Sequence, residues 1–220
     1  MSMHHQTRLD SHPARQVTVI GPIGSGKTTA SQFLAQELGL PLLDADLFET
    51  NPFLPDYIQD TPRWAFTTEL FFTLARLQKL SVIKDMLKKS SVIVDSGLIM
   101  SHHVYTKNHL VQGTMTAAEW EFFTRIIGDY QSDLPAPDIV ISLTCSPVVQ
   151  MARIKARGRS FEASYTLEYL QSITDRLGEY AESLANVHST TLLTFDSEKQ
   201  DLTKPSGQKE LFSLISPLLQ

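Results

Sequence analysis

The chain of 220 residues has one cysteine, Cys145, so no disulfide can form within it. That usage suits the reducing cytoplasm, and its place in an apolar run reads as a packed thiol. Long apolar stretches are also missing. None approaches the ~20 residues of a membrane-spanning helix, and the first residues lack the apolar centre of a secretory signal. Positive charge is not in excess: the net charge of −5 supplies no general attraction to nucleic acid or to an anionic membrane. His102, His103 and His109 have no cysteine or acidic cluster beside them at zinc spacing, which argues against a metal site there.

What is present is more telling. Gly21-Pro22-Ile23-Gly24-Ser25-Gly26-Lys27-Thr28 fits the phosphate-cradling pattern G-x-x-x-x-G-K-[ST]. Its glycines let the backbone turn N–H groups toward an anion. Lys27 is placed to reach the β- and γ-phosphates of a nucleotide, and Thr28 to ligate Mg²⁺. Residues 16–20 read as a strand and 27–38 as a helix, so the positive end of the helix faces the same phosphates. Gly21, Ile23, Gly24, Ser25, Gly26, Lys27, Thr28 and Thr29 are therefore candidate ATP contacts.

Five short apolar runs alternate with helical patterns: Val17–Ile20, Leu40–Leu43, Val92–Val94, Ile139–Leu143 and Thr191–Phe195. Such runs suit a parallel sheet covered on both faces. Helices are expected over 27–38, 61–88, 116–130, 147–156, 165–186 and 208–218. The alternation predicts an α/β three-layer fold, in which ligands bind beyond the carboxyl ends of the strands. Residues 1–14, with His4, His5 and His12, read as a flexible tail, and 15–220 as a single domain.

Asp44, Asp46, Glu49 and Asp95 follow predicted strand ends. An acid in the position of Asp95 holds Mg²⁺ in P-loop enzymes. A hydroxyl acceptor needs a nearby carboxylate to take its proton, and Asp46 is the candidate. Arg153, Arg157 and Arg159 form R-x-x-x-R-x-R, with the first two on one helix face. Gly158 ends that helix and leaves Arg159 on a loop. The loop, about 156–164, reads as a lid that brings guanidinium groups onto the transferring phosphoryl. A solvated basic helix end is the alternative reading. Trp64, Phe66, Phe71 and Phe72 fall at helix-core spacing, with stacking of one or two of them on a base or apolar acceptor as the alternative.

With these motifs in this order, residues 16–186 resemble the P-loop deoxynucleoside kinases, in particular the bacterial deoxyadenosine/deoxyguanosine kinase type. The similarity runs through Asn51-Pro52-Phe53-Leu54, Arg63-Trp64-Ala65-Phe66, Pro137-Asp138-Ile139-Val140-Ile141, the lid sequence Arg153 to Glu162, and Leu167-Glu168-Tyr169-Leu170. It implies a five-stranded parallel sheet, ATP with Mg²⁺ as donor, 5′-phosphorylation of a nucleoside and a homodimer. The acceptor side departs from the family pattern. Asp46-Leu47 stands where the family has its catalytic Glu-Pro, Glu69 where it has a base-reading Gln, and Ile58 where it has a sugar-contacting Tyr. Asp95-Ser96-Gly97 replaces Asp-Arg-Ser, and Ser101 replaces an acid near the 3′-hydroxyl. An ionised Glu69 only accepts hydrogen bonds, which suits a guanine edge. Lys107, His102, His103 and Tyr105 are candidates for the lost polar contacts.

Two other readings stay open on sequence grounds. The acceptor is a nucleoside monophosphate, for which Arg63 and Arg125 are the available arginines, or a non-nucleoside alcohol. Alternatively the chain binds nucleotide without turnover, which the missing arginine after Asp95 favours and the lid argues against.

Overall fold

The structure is a computed structural model and describes residues 13–44, 47, 50–131, 133–187 and 189–219. Five parallel strands, β1 (Gln16–Ile20), β2 (Leu42–Leu43), β3 (Val92–Asp95), β4 (Ile139–Thr144) and β5 (Thr191–Asp196), form one sheet in the order β2-β3-β1-β4-β5. The central strand β1 pairs Val17 with Ile93 on one side and with Ile139 on the other. All five expected strands are there, each within two residues of its expected bounds.

Alternation along each strand builds two cores. Val17, Val19, Ile139, Ile141 and Leu143 point to one face, against α1 (Lys27–Leu38) and α10 (Pro205–Leu219) through Leu34, Leu211 and Ile215. Ile20 and Val140 point to the other face, against Ile173 and Leu177 of α9 (Leu167–Ala185). Each fully buried aliphatic side chain contributes about 1.5–3 kcal/mol. Both faces are apolar because parallel strands are covered twice.

The expected helix over 61–88 is two. α3 (Thr61–Leu80) starts with Asp60 accepting from Arg63 N, and α4 (Ile83–Leu87) follows a break at Ser81 and Val82. Two segments were not expected as helices. One is α2 (Leu54–Gln59), with Pro55 in its first turn. The other runs from α5 (Leu98–Ser101) through a π-helical turn, His102–Thr106, into α6 (Lys107–Val111). A π turn bonds i to i+5, so it breaks the 3.6-residue rhythm by which a helix is recognised. α7 (Ala117–Gln131) and α8 (Pro147–Arg157) complete the layers. Among the described residues no helix is long and apolar enough to cross a membrane.

Candidate active site

The P-loop lies between β1 and α1, as its sequence demands. Gly24 and Gly26 take positive φ (76° and 92°), and Lys27 Nζ donates to Pro22 O at 2.8 Å. A methyl group on Gly24 would sit 3.0 Å from Gln150 O. Gly24→Ala is therefore expected to cost about 1–2 kcal/mol, lowering Tm by about 3–6 °C in a chain of this size. An unchanged melting curve would show that the loop relaxes freely. Arg153 does not line the cavity beside the loop. It donates to Gly24 O at 3.2 Å and to Ser197 O at 2.6 Å, so it braces the P-loop from behind.

Asp95 ends β3 beside the first turn of α1. Thr28 Oγ1 donates to Asp95 Oδ2 at 2.7 Å. Burial raises the Asp95 pKa, opposed by the Lys27 charge and the Thr28 hydrogen bond. Burial also lowers the Lys27 pKa to about 8, while Asp95 pulls it back up. A hydroxyl and a carboxylate, both hard oxygen donors, thus meet where the phosphates would lie. That set fits Mg²⁺, which takes few protein ligands and completes its shell with phosphate and water. Among the described residues no three His, Cys, Asp or Glu side chains gather into a metal cage.

A cavity of about 130 Å³ opens from Lys27, Thr28 and Asp95 toward α3. It gathers most of the expected residues: Ile23, Gly24, Ile58, Glu69, Ser101, Arg157 and Arg159 all line it. Asp46, the candidate proton acceptor, and Glu49 lie outside the described residues, as do the tail histidines. Gly158 caps α8 with φ 69°, and the segment after it folds back so that Arg157 Nε donates to Glu162 Oε2 at 3.1 Å. The Arg159 guanidinium lies over the Phe161 ring.

Three of the four residues proposed for the lost polar contacts are elsewhere. His102 stacks on Trp120 at 4.2 Å, His103 stacks on Tyr180, and Lys107 sits over the Trp120 ring. The π turn rotates them toward α7 and α9. Only Tyr105 reaches the cavity.

Thr68 and Arg76 were not expected in the lining. They share the buried face of α3 with Glu69 and with Phe72, the one of the four candidate aromatics that reaches the cavity. Arg76 stands seven residues after Glu69, two helical turns along the same face, so the spacing held the signal. Tyr57 comes from a short helix that has none, and His109 is the one of the three neighbouring histidines that lines the cavity. Glu69 Oε2 accepts from Thr106 Oγ1 at 2.8 Å. Ser96 has φ 60°, an uncommon conformation for a residue with a side chain, at the strand end where the site begins.

The family model described as deoxynucleoside kinase matches residues 17–219. The chain belongs to the deoxynucleoside kinase family. Among curated relatives, the deoxyguanosine kinase of Bacillus subtilis (strain 168) is 28% identical over 190 residues, 84% of this chain and 87% of that one. The deoxyadenosine kinase of Lactobacillus acidophilus is 28% identical over 213 residues, 93% of this chain and 97% of its own. Among solved structures, deoxyadenosine kinase from M. mycoides with bound dCTP superposes with a TM-score of 0.76 at 23% identity, covering 93% of this chain and 98% of that one. That likeness shows the three-layer P-loop fold. The chain is thus a deoxynucleoside kinase, a phosphotransferase with ATP as donor and an alcohol as acceptor.

Proposed function

We propose that this kinase phosphorylates the 5′-hydroxyl of a deoxynucleoside with a guanine-type base, using ATP–Mg²⁺. One observation carries the reading: a single cavity joins the P-loop lysine to a buried carboxylate, Glu69, 6% exposed. The P-loop amides and Lys27 hold the triphosphate. Thr28 and Asp95 would hold Mg²⁺, which offsets phosphate charge when bound. Asp46 takes the proton of the 5′-hydroxyl as its oxygen bonds to the γ-phosphorus and the β–γ bridging bond breaks, releasing ADP. Arg157 and Arg159 stabilise the transferred group, and Glu162 keeps Arg157 oriented. Ile58 and Ser101 border the acceptor. Catalysis is then positioning plus charge stabilisation.

The missing arginine after Asp95 favoured a binder without turnover. Arg76 weakens that reading, because its buried guanidinium lines the same cavity as Ser96. A homodimer in the cytoplasm completes the proposal, supported by the exposed Leu74 of α3 and Phe122 and Tyr130 of α7 and by the lone, buried Cys145.

The test is ADP release from ATP–Mg²⁺ with a panel of nucleosides, nucleotides and simple alcohols. Release dependent on deoxyguanosine is expected, and none across the panel would overturn the proposal. Glu69→Gln is expected to narrow the guanine-over-adenine preference about tenfold, since an amide both donates and accepts. If the preference stays put, Glu69 does not read the base.

A further inference from the structure

A short polar chain lies behind the acceptor cavity. Thr114 Oγ1 donates to His109 O at 3.2 Å, and His109 Nδ1 lies 2.8 Å from the same Thr114 oxygen. A threonine hydroxyl has one proton. The hydroxyl can give it to the carbonyl or to Nδ1. With the proton on the carbonyl, the hydroxyl accepts from His109 and Nδ1 carries the imidazole proton, the arrangement the relay requires. Burial lowers the His109 pKa, with Glu69 pulling it up, so the ring is neutral near pH 7 and Nε2 is bare. Tyr57 Oη lies 3.3 Å from Nε2, and its proton has an acceptor there. What Tyr57 presents to the cavity is then oxygen lone pairs alone.

Glu69 Oε2 is likewise held as an acceptor, by the single Thr106 proton. Thr68 Oγ1, buried in the same wall, has no hydrogen-bond partner among the described residues. A buried hydroxyl without a partner is rare in a finished site and marks where a polar ligand group belongs.

We propose that the Thr114–His109–Tyr57 relay locks the Tyr57 phenol as an acceptor beside Glu69, and that this pair of acceptors selects a purine bearing a 2-amino group. A guanine edge offers N1–H and 2-NH₂ together, three protons for two acceptor groups. Hypoxanthine keeps N1–H and lacks the amino group. Adenine offers a 6-amino group and a bare N1, which would face lone pairs. Tyr57, His109 and Thr114 are thus specificity residues: the first touches the base, and the other two set which way its proton points. The inference rests on the nucleoside-kinase reading for the identity of the acceptor, and it concerns binding alone.

The experiment compares deoxyguanosine with deoxyinosine, by kcat/KM and by calorimetric Kd without ATP. Wild type is expected to favour deoxyguanosine about tenfold or more, the worth of one well-made hydrogen bond to a site that would otherwise hold an unpaired acceptor. Tyr57→Phe should cut that preference to about twofold, mostly through KM. His109→Phe should do the same by freeing the phenol proton. His109→Gln, whose carbonyl oxygen still accepts from Tyr57, should retain most of it, and a merely structural role for His109 would not distinguish the two. Equal preference in wild type and Tyr57→Phe overturns the proposal. So does a Tyr57→Phe effect confined to the ratio of deoxyguanosine to 2′,3′-dideoxyguanosine, which would place the phenol on the sugar. If His109→Phe does not fold, Tyr57→Phe and His109→Gln decide. Selective binding without ADP release would sink the kinase assignment of the acceptor and leave the relay standing. No nucleoside binding at all would sink both.

Discussion

Lys27→Ala is expected to lower kcat/KM by about 10³-fold or more, the range seen when one preorganised charge is removed from a transferring phosphoryl group. The structure adds a proton to that expectation. Burial lowers the Lys27 pKa to about 8. A bound triphosphate brings negative charge to the ammonium and raises the pKa again. ATP therefore binds the protonated lysine, and its affinity should be steady below pH 8 and fall above it. Calorimetry near pH 8 in buffers of different ionisation enthalpy should register net proton uptake, absent in Lys27→Ala. The stability sign follows. A lysine at about 8 in the native state and near 10.5 when unfolded holds its proton less tightly when folded. Its cost is fully present below pH 8 and disappears as pH rises toward 10.5. That cost is on the order of 3 kcal/mol near pH 7, so Lys27→Met should melt higher than wild type without nucleotide and lose the rise in Tm that ATP gives. A variant that keeps more than about a tenth of wild-type turnover would remove Lys27 from the phosphates.

The donor half was legible in the sequence because its chemistry sits on one contiguous segment. A strand, three glycines, Lys27 and Thr28 specify their own geometry, and the register of β1 against β3 then brings Asp95 to Thr28. The end of α8 was legible for a similar reason: Gly158 stops the helix, and a four-residue spacing puts Arg153 and Arg157 on one face. What each arginine does was less so. Arg153 turns to the backbone, donating to Gly24 O and Ser197 O.

The acceptor side of the cavity is assembled from separate places: α2, the face of α3, α5 with the π turn and α6, the loop after α8, and Tyr169 of α9. Only the α3 contribution has a periodic signature; Glu69 came from the family resemblance, and the rhythm that would have added Arg76 two turns further on was not followed. Tyr57 and His109 sit on elements of six and five residues, too short for a hydrophobic rhythm to mark. The π turn had a further effect. It made His102, His103 and Lys107 look like pocket residues by their distance from Asp95, while the extra residue in the turn sends them to Trp120 and Tyr180. Irregular backbone at a site is where local pattern and tertiary demand part company.

Asp95→Asn separates charge from shape at the other end of the same site. The amide oxygen can still accept from Thr28 Oγ1, so the 2.7 Å contact need not be lost. What disappears is a buried negative charge facing the start of α1. If that charge holds Mg²⁺ against the phosphates, kcat should fall about 10²–10³-fold, and raising Mg²⁺ should recover little of it. Folding should not suffer. Burial raises the Asp95 pKa, so the native state binds this proton more tightly than the unfolded chain does, and ionising it at neutral pH is a cost that the amide removes. A second consequence follows at Lys27, whose pKa Asp95 pulls upward. Without that pull the lysine loses its proton at lower pH, and the fall in ATP affinity should begin below the pH at which it begins in wild type. Loss of turnover with no displacement of that profile would mean that Asp95 acts on the metal and not on Lys27. A displaced profile with turnover within about threefold of wild type would mean the reverse, and the carboxylate would lose its place as the magnesium ligand.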